Sequence, residues 1–365
     1  MSVLAALMGL IISLAGSTPA NDEKKDRHPG DKIERSYPVD AQATVTLCVA
    51  SGTLKVHGWD KNEVHVRALG AEQLDFRRID KVKDTSKPAT RVDVMVMQHG
   101  GMSAPKLDCQ AVADVEMEVP TGATVQVQTR DGDIMIAGVA GAYAGSQNGD
   151  ITIERATKLV EAGSVGGSIF LKDSSGRVNL SSAGGGVEAI NVRPAAGDDA
   201  FEVGTVSGDI QLDRVSNPKV VAKTVNGTVT MSGPLAKSGW YGFTNMTGDL
   251  ILEMPRDASF QLNAKVSEKE KIISDFKLTY INEPPAPPAA LPRQPAHSAT
   301  PPKPPVQQSP QKKAGKGGTL VAPIIVEKPA VAAGYVLRRV NAICGSGDAT
   351  ISIASFGGTV RLKKI

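Results

Sequence analysis

From Asp131 onward the chain repeats a short pattern. It has a small or polar residue, a glycine, any residue and an aliphatic residue, with a second apolar residue two positions on. It reads Asp131-Gly132-Asp133-Ile134-Met135-Ile136, Asn148-Gly149-Asp150-Ile151-Thr152-Ile153 and Gly166-Gly167-Ser168-Ile169-Phe170-Leu171. A degenerate copy at Gly184-Gly185-Gly186-Val187 leads to Ser207-Gly208-Asp209-Ile210-Gln211-Leu212, Asn226-Gly227-Thr228-Val229-Thr230-Met231 and Thr247-Gly248-Asp249-Leu250-Ile251-Leu252. Successive central glycines are 17, 18, 18, 23, 19 and 21 residues apart. Outlying copies stand at Ser51-Gly52-Thr53-Leu54 and Ser346-Gly347-Asp348-Ala349.

Such a period suits one turn of a solenoid. The Gly-containing dipeptide makes a tight turn, and the alternation after it sends Ile, Val or Leu to one face of a short strand. A single turn cannot bury that face, whereas stacked turns bury it continuously and hydrogen-bond to the rungs above and below. The pattern therefore predicts an all-β, single-stranded β-solenoid (β-helix-like), with one short strand marked in each period. Helical periodicity is nearly absent, and the helix formers between Ala264 and Ser274 have irregular apolar spacing.

Before the repeats, residues 43–120 read as longer strands: Thr44 to Val49, Leu54 to Val56, Val64 to Arg67, Val92 to Met97 and Val112 to Val119. These are expected to cap the first rung, because an uncovered sheet edge recruits other chains. Ala349 to Ile353 and Gly358 to Leu362 are expected to supply strands at the opposite end.

At the amino terminus, Val3 to Gly16 carries no charge, which is too short for a comfortable membrane span of about 20 residues. Ser17-Thr18-Pro19-Ala20 and the polar run from Asn21 to Arg27 follow, so a secretory signal with cleavage after Ala20 is expected, with an uncleaved anchor as the rival. No Lys or Arg precedes the apolar run. Cys48, Cys109 and Cys344 show no C-x-x-C spacing. Three buried small hydrophobes are expected, and one pair with a free thiol is the alternative.

Composition changes the picture at one place. Aromatics are 4% of 365 residues, which disfavours an aromatic-lined enzyme pocket. The net charge of +3 is too small to indicate nucleic-acid binding. Pro284 to Pro310 contains 11 prolines, and Pro284 to Gly318 carries Arg293, Lys303, Lys312, Lys313 and Lys316 with no Asp or Glu. Without those five positive charges the rest of the chain is at −2. The segment predicts solvated polyproline II, able to touch anionic polymer or lipid headgroups. The chain thus divides into a signal peptide over 1–20, a disordered linker over 21–40 and a solenoid domain with cap strands over 41–283. A basic Pro-rich disordered insertion over 284–328 and completing strands over 329–365 follow.

Val49-Ala50-Ser51-Gly52-Thr53-Leu54-Lys55-Val56-His57-Gly58-Trp59-Asp60, with Asn62-Glu63-Val64 after it, resembles the start of the bacterial putative-adhesin family. The Gly-Asp-Ile rungs, Ser274-Asp275-Phe276 and the closing Gly345-Ser346-Gly347 through Gly357-Gly358-Thr359-Val360 are similar to it too. These are envelope β-solenoid proteins related to the toast-rack and LiaG-like proteins. The resemblance covers about 40–283 and 330–365, implies a right-handed stacked-strand fold and an exported location, and brings no catalytic residues. The Pro-rich segment departs from the family's compact pattern.

Asp133, Asp150, Asp209 and Asp249 recur at equivalent rung positions, so they are candidates for a calcium-holding column. Ser168, Gly186 and Thr228 interrupt that column and the nine-residue calcium-roll period is missing, which favours turn capping. A glycan-cleaving solenoid would use carboxylates with Arg on one face, drawn from Asp131, Glu154, Arg155, Glu161, Asp173, Asp213 and Arg214. His28, His57, His65, His99 and His297 have no metal or triad spacing. Trp59 and Trp240 read as packing residues before sugar platforms. The expected protein is a non-catalytic exported scaffold or binding module of the periplasm, envelope or cell surface, with no cofactor. Its expected partners are a cell-wall polymer, a glycan or an envelope protein, with membrane contact through the basic segment and no nucleic acid. An envelope stress-sensing module with a membrane signalling partner is the alternative, and a polysaccharide-active enzyme stands behind it.

Overall fold

A computed structural model of the chain describes residues 32–80, 86–98, 109–268, 271–281 and 337–365. The expected signal over 1–20 and the Pro-rich insertion over 284–328 lie outside the described residues. Among the described residues the regular elements are strands throughout.

The opening strands are β1 (Lys32–Ser51), β2 (Leu54–Trp59), β3 (Glu63–Leu69), β4 (Gln73–Arg78), β5 (Ala89–Met97) and β6 (Asp114–Pro120). The repeats give β7 (Thr124–Asp131), β8 (Ile134–Ala137), β9 (Gly141–Ser146), β10 (Ile151–Glu154), β11 (Leu159–Ser164), β12 (Ile169–Lys172) and β13 (Arg177–Ser182). They continue as β14 (Val187–Val192), β15 (Ala200–Ser207), β16 (Ile210–Val215), β17 (Lys219–Asn226), β18 (Val229–Ser232), β19 (Trp240–Thr247) and β20 (Leu250–Met254). The closing strands are β21 (Phe260–Ser267), β22 (Ile272–Ser274), β23 (Thr279–Tyr280), β24 (Leu337–Cys344), β25 (Ala349–Ser355) and β26 (Val360–Lys364).

Each repeat carries two strands, not one. Even-numbered strands β8 to β20 pair in parallel on one face of the solenoid. Odd-numbered β7 to β19 pair likewise on a second face. The register never slips, so Ile134, Ile151, Ile169, Val187, Ile210, Val229 and Leu250 form one buried column. The second-face strands were invisible to the periodicity because their inward positions are often small or polar, as in Gly141-Ala142-Tyr143-Ala144-Gly145-Ser146. Large rings are saved for the later rungs of that face, where Phe201, Tyr241, Phe243 and Phe260 are buried.

Strand β1 joins the faces at the amino end. Lys32 to Pro38 runs antiparallel to β3, and Thr44 to Ser51 runs parallel to β5 and β7. This corrects the linker expected over 21–40, since the strand begins at Lys32. Its early part is mostly polar and exposed, with Ile33 and Val39 buried, so pairing with β3 and not local hydrophobicity makes it a strand.

Ala349 to Ile353 and Gly358 to Leu362 do supply strands at the opposite end, but one level inside it. β25 lies between β19 and β21, and β26 lies between β20 and β22. From β20 to β21 the chain therefore skips one level, which residues 349–364 return to fill. Beyond it, β24 runs antiparallel to β21 and β23 antiparallel to β24.

Cys48 and Cys109 form a disulfide and Cys344 is a buried free thiol, so the expectation of three unpaired cysteines is corrected. Local spacing could not show it, because the two residues are 61 positions apart and the cap topology brings their Cα atoms to 5.0 Å. Closing a loop of this length removes denatured-state entropy worth ~4 kcal/mol. Replacing Cys48 and Cys109 together by Ala is expected to lower stability by about 2–4 kcal/mol, read as an earlier urea midpoint with a steeper slope because the denatured chain is no longer cross-linked.

In the same cap, Asp80 accepts from Arg78 Nε at 2.6 Å, Thr90 N at 2.8 Å and Thr90 Oγ1 at 3.1 Å. The Arg78 guanidinium, with the Thr90 donors, holds its carboxyl far below the usual carboxylate range. A carboxyl depressed in the folded state stabilises above its unfolded pKa of about 3.9, and that contribution is lost as pH falls below it. Asp80→Asn is therefore expected to lower the melting temperature at pH 7 and to flatten its decline between about pH 4 and 2. Parallel melting curves for the two proteins across that window would contradict this.

Candidate functional site

The Gly-Asp-Ile triplet has three separate structural tasks at the corner where each second-face strand turns into its first-face partner. Glycine permits close stacking. A Cβ on Gly149 would lie 1.9 Å from the carbonyl oxygen of Gly132, one on Gly167 would lie 2.1 Å from that of Gly149, and one on Gly185 would lie 2.2 Å from that of Gly167. Aspartate caps the next rung. Asp133 Oδ1 accepts from Asp150 N at 3.0 Å, Asp150 from Ser168 N at 2.7 Å, Asp209 from Thr228 N at 2.7 Å and Asp249 from Thr359 N at 2.8 Å. Isoleucine or its equivalent points into the core. All four calcium candidates thus have a main-chain partner, and among the described residues no group of three or more His, Cys, Asp or Glu is placed to hold a metal ion.

A buried polar column runs behind this corner. Thr129, Ser146, Ser164, Ser182, Thr205, Thr224, Asn245 and Ser355 stack in register, all buried. Ser164 Oγ accepts from Gly167 N at 2.9 Å in its own rung and donates to Gly149 O at 3.1 Å in the preceding one. Ser182 repeats this with Gly185 N and Gly167 O, both at 2.9 Å. At these two rungs the buried turn groups therefore keep their hydrogen bonds, whereas Thr129 Oγ1 and Asn245 Oδ1 in the same column have no hydrogen-bond partner among the described residues. The sequence reading missed this column, although each member stands three residues before a corner glycine, as at Thr129/Gly132, Ser164/Gly167 and Ser355/Gly358.

On the opposite corner the chain takes positive φ at Gly138, Arg155, Asp173, Asn191, Arg214 and Gly233. Asn191 Nδ2 donates to Asp173 Oδ1 at 2.8 Å, and Arg214 Nε donates to Asn191 Oδ1 at 2.5 Å. Glu154 pairs with Arg155 at 3.0 Å and Asp213 with Arg214 at 2.5 Å. Five of the seven residues considered for glycan cleavage, Glu154, Arg155, Asp173, Asp213 and Arg214, therefore gather along one outer edge. Asp131 sits at the glycine corner, where Arg130 and then Asn148 lower its carboxyl pKa. Glu161 is on the second face. The gathered carboxylates are held by neighbouring Arg or Asn side chains on an outward corner.

The first face carries a shallow depression, about 260 Å³, lined by residues that include Asp150, Ser168, Phe170, Glu188, Asp209 and Gln211. It lies where Ser168 and Gly186 interrupt the aspartate column.

The two tryptophans differ. Trp59 Nε1 donates to Glu63 O at 2.9 Å, Lys61 Nζ lies 4.4 Å from the ring centroid and the His65 ring is 6.2 Å away. It packs a turn, as expected. Trp240 stands on the outward side of the second face with 40% of its surface exposed. His65 Nδ1 contacts Ser36 Oγ at 2.8 Å, while His28, His99 and His297 lie outside the described residues.

Two register-locked parallel faces, glycine corners and paired ends define an elongated parallel β-solenoid whose polar side chains form outward columns. The chain belongs to the Toastrack DUF4097 family, whose model matches residues 60–270. Solved structures similar to it include a putative cell adhesion protein from Clostridium sporogenes, at 9% identity over 92% of this chain and 100% of that one, with a TM-score of 0.26. Two described as putative adhesins are from Parabacteroides merdae (9% identity, 62% of this chain and 90% of that one, TM-score 0.38) and Parabacteroides distasonis (11%, 62% and 91%, TM-score 0.29). At such TM-scores these likenesses carry no argument about ligand or partner. No curated protein matches the chain.

Proposed function

We propose that the protein is a non-catalytic, adhesin-like binding module of the cell envelope, exported by its amino-terminal apolar segment and related to the LiaG-like envelope proteins. One observation carries the reading. Two continuous outward faces hold their side chains in fixed columns at strand spacing, about 4.8 Å, which suits an extended repeating ligand better than a small molecule. Preorganised columns bind without ordering cost. The basic stretch from Arg293 to Lys316 adds an electrostatic contact with anionic wall polymer or lipid headgroups.

The test is retention of the chain from Asn21 on purified cell-wall and polysaccharide fractions, with and without residues 284–318, at low and high salt. Retention that survives both deletion and salt supports recognition by the solenoid faces. Salt-sensitive retention that vanishes with the deletion would make the basic segment the anchor, and no retention anywhere would overturn the reading.

A further inference from the structure

We infer that the outward side of the second face carries a site for a neutral pyranose ring of a polysaccharide, centred on Trp240. This rests on the reading of the protein as an envelope binding module and names its ligand class and position. A lone exposed hydrophobic side chain is ordinary on a protein surface. The backbone beneath this one is not.

Two residues along β19, on the same side of the sheet, stands Gly242. A Cβ there would lie 2.4 Å from Cη2 and 2.7 Å from Cζ3 of Trp240. An indole reaching that far from its own Cα must lie down along the strand instead of standing off it. At the same level neighbouring strands carry Glu202, Val221 and Ser352, whose side chains would block such a posture. Glycine clears a shelf, and the indole covers it with its outer flank in solvent.

What borders the ring also fits a sugar. Lys219 is the register partner of Trp240 on one side and Thr350 on the other, each one strand spacing away, about 4.8 Å. Ser352 stands beside Gly242. A pyranose presents C–H groups on its faces and hydroxyls at its rim. An aromatic flank with donors and acceptors at its sides meets both demands at once. Lys219 Nζ pairs with Glu202 Oε1 at 2.8 Å, so their charges cancel and the border favours hydroxyls over an anionic polymer. Thr350 and Ser352 belong to β25, so the site is complete only when the carboxyl-terminal rung is seated beside β19.

The full chain would be tested with soluble β-1,4-linked glucose and N-acetylglucosamine oligosaccharides and with an α-glucan. Affinity electrophoresis in gels containing each glycan reads binding. In a Trp59→Phe background, emission from Trp240 reads contact. At least one glycan is expected to retard the protein and to change the emission saturably. Trp240→Ala is expected to weaken binding at least about tenfold with an unchanged melting temperature, because the outer flank of the indole faces solvent. Gly242 is buried beneath that ring, and Gly242→Val is expected to weaken binding as much by pushing the indole off its shelf. Trp240→Tyr should keep part of the affinity. Polysaccharide binding by the wild type that Trp240→Ala leaves intact would overturn this site while sparing the binding-module reading. Absence of binding to every glycan and wall fraction would overturn both.

Discussion

Gly167→Ala is expected to lose about 3 kcal/mol of stability, a large share of the 5–15 kcal/mol typical of a folded domain. The new methyl would sit 2.1 Å from the Gly149 carbonyl oxygen and 2.4 Å from its carbon, both main-chain atoms locked in the ladder. No rotamer relieves such a clash, so adjacent rungs must separate at the corner. Separation would stretch the bond from Ser164 Oγ to Gly149 O, which is buried and has no water to replace it. Two controls isolate the cause. Gly166 has its nearest neighbour at 3.4 Å and Gly197 has nothing within 4 Å, so Ala at either position should change stability by less than about 1 kcal/mol. Urea midpoints of the three variants decide it. Equal midpoints would mean that the corner is not sterically closed and that glycine recurs there for some other reason.

Deleting residues 337–365 is the second large effect. β21 pairs only with β24 and β25, and β22 only with β26, among the described residues. Without them the level above β19 and β20 is empty, and β21 and β22 lose every partner. Ile351, Ile353, Val360 and Leu362 are fully or almost fully buried. At about 2 kcal/mol each their removal withdraws ~8 kcal/mol, comparable with the whole stability of a domain. The exposed edges of β19 and β20 would then recruit other chains. The truncated protein is expected to lose hydrogen-exchange protection over residues 260–267 and to associate on size exclusion. Adding a peptide of residues 337–365 should restore both. Retained protection over 260–267 without the peptide would show that β21 has a partner other than β24 and β25.

Much of the architecture was legible because it is local and repeated. Gly132, Gly149, Gly167, Gly208 and their equivalents marked the corners, and the Ile or Val two residues later marked the inward column. Asp beside Gly in a turn is expected to cap its own backbone, whereas these aspartates cap the main chain of the following rung, a contact that only stacking creates. The second-face strands are hard to see in the sequence because Ala, Ser and Thr at inward positions weaken the apolar alternation. The buried hydroxyls were missed for a related reason, since Ser and Thr read as surface residues until stacking surrounds them.

The sequence by itself determined the period, the corner residues and the all-β class, since these depend on residues within a few positions of one another. Tertiary structure alone decided the rest. The level skipped after β20 and filled by residues 349–364, the Cys48–Cys109 pairing and the meeting of Trp240 with Gly242, Thr350 and Lys219 each join parts of the chain through pairing register. Register between distant strands is set by the sum of many stacked contacts, and no single short stretch of sequence carries that sum.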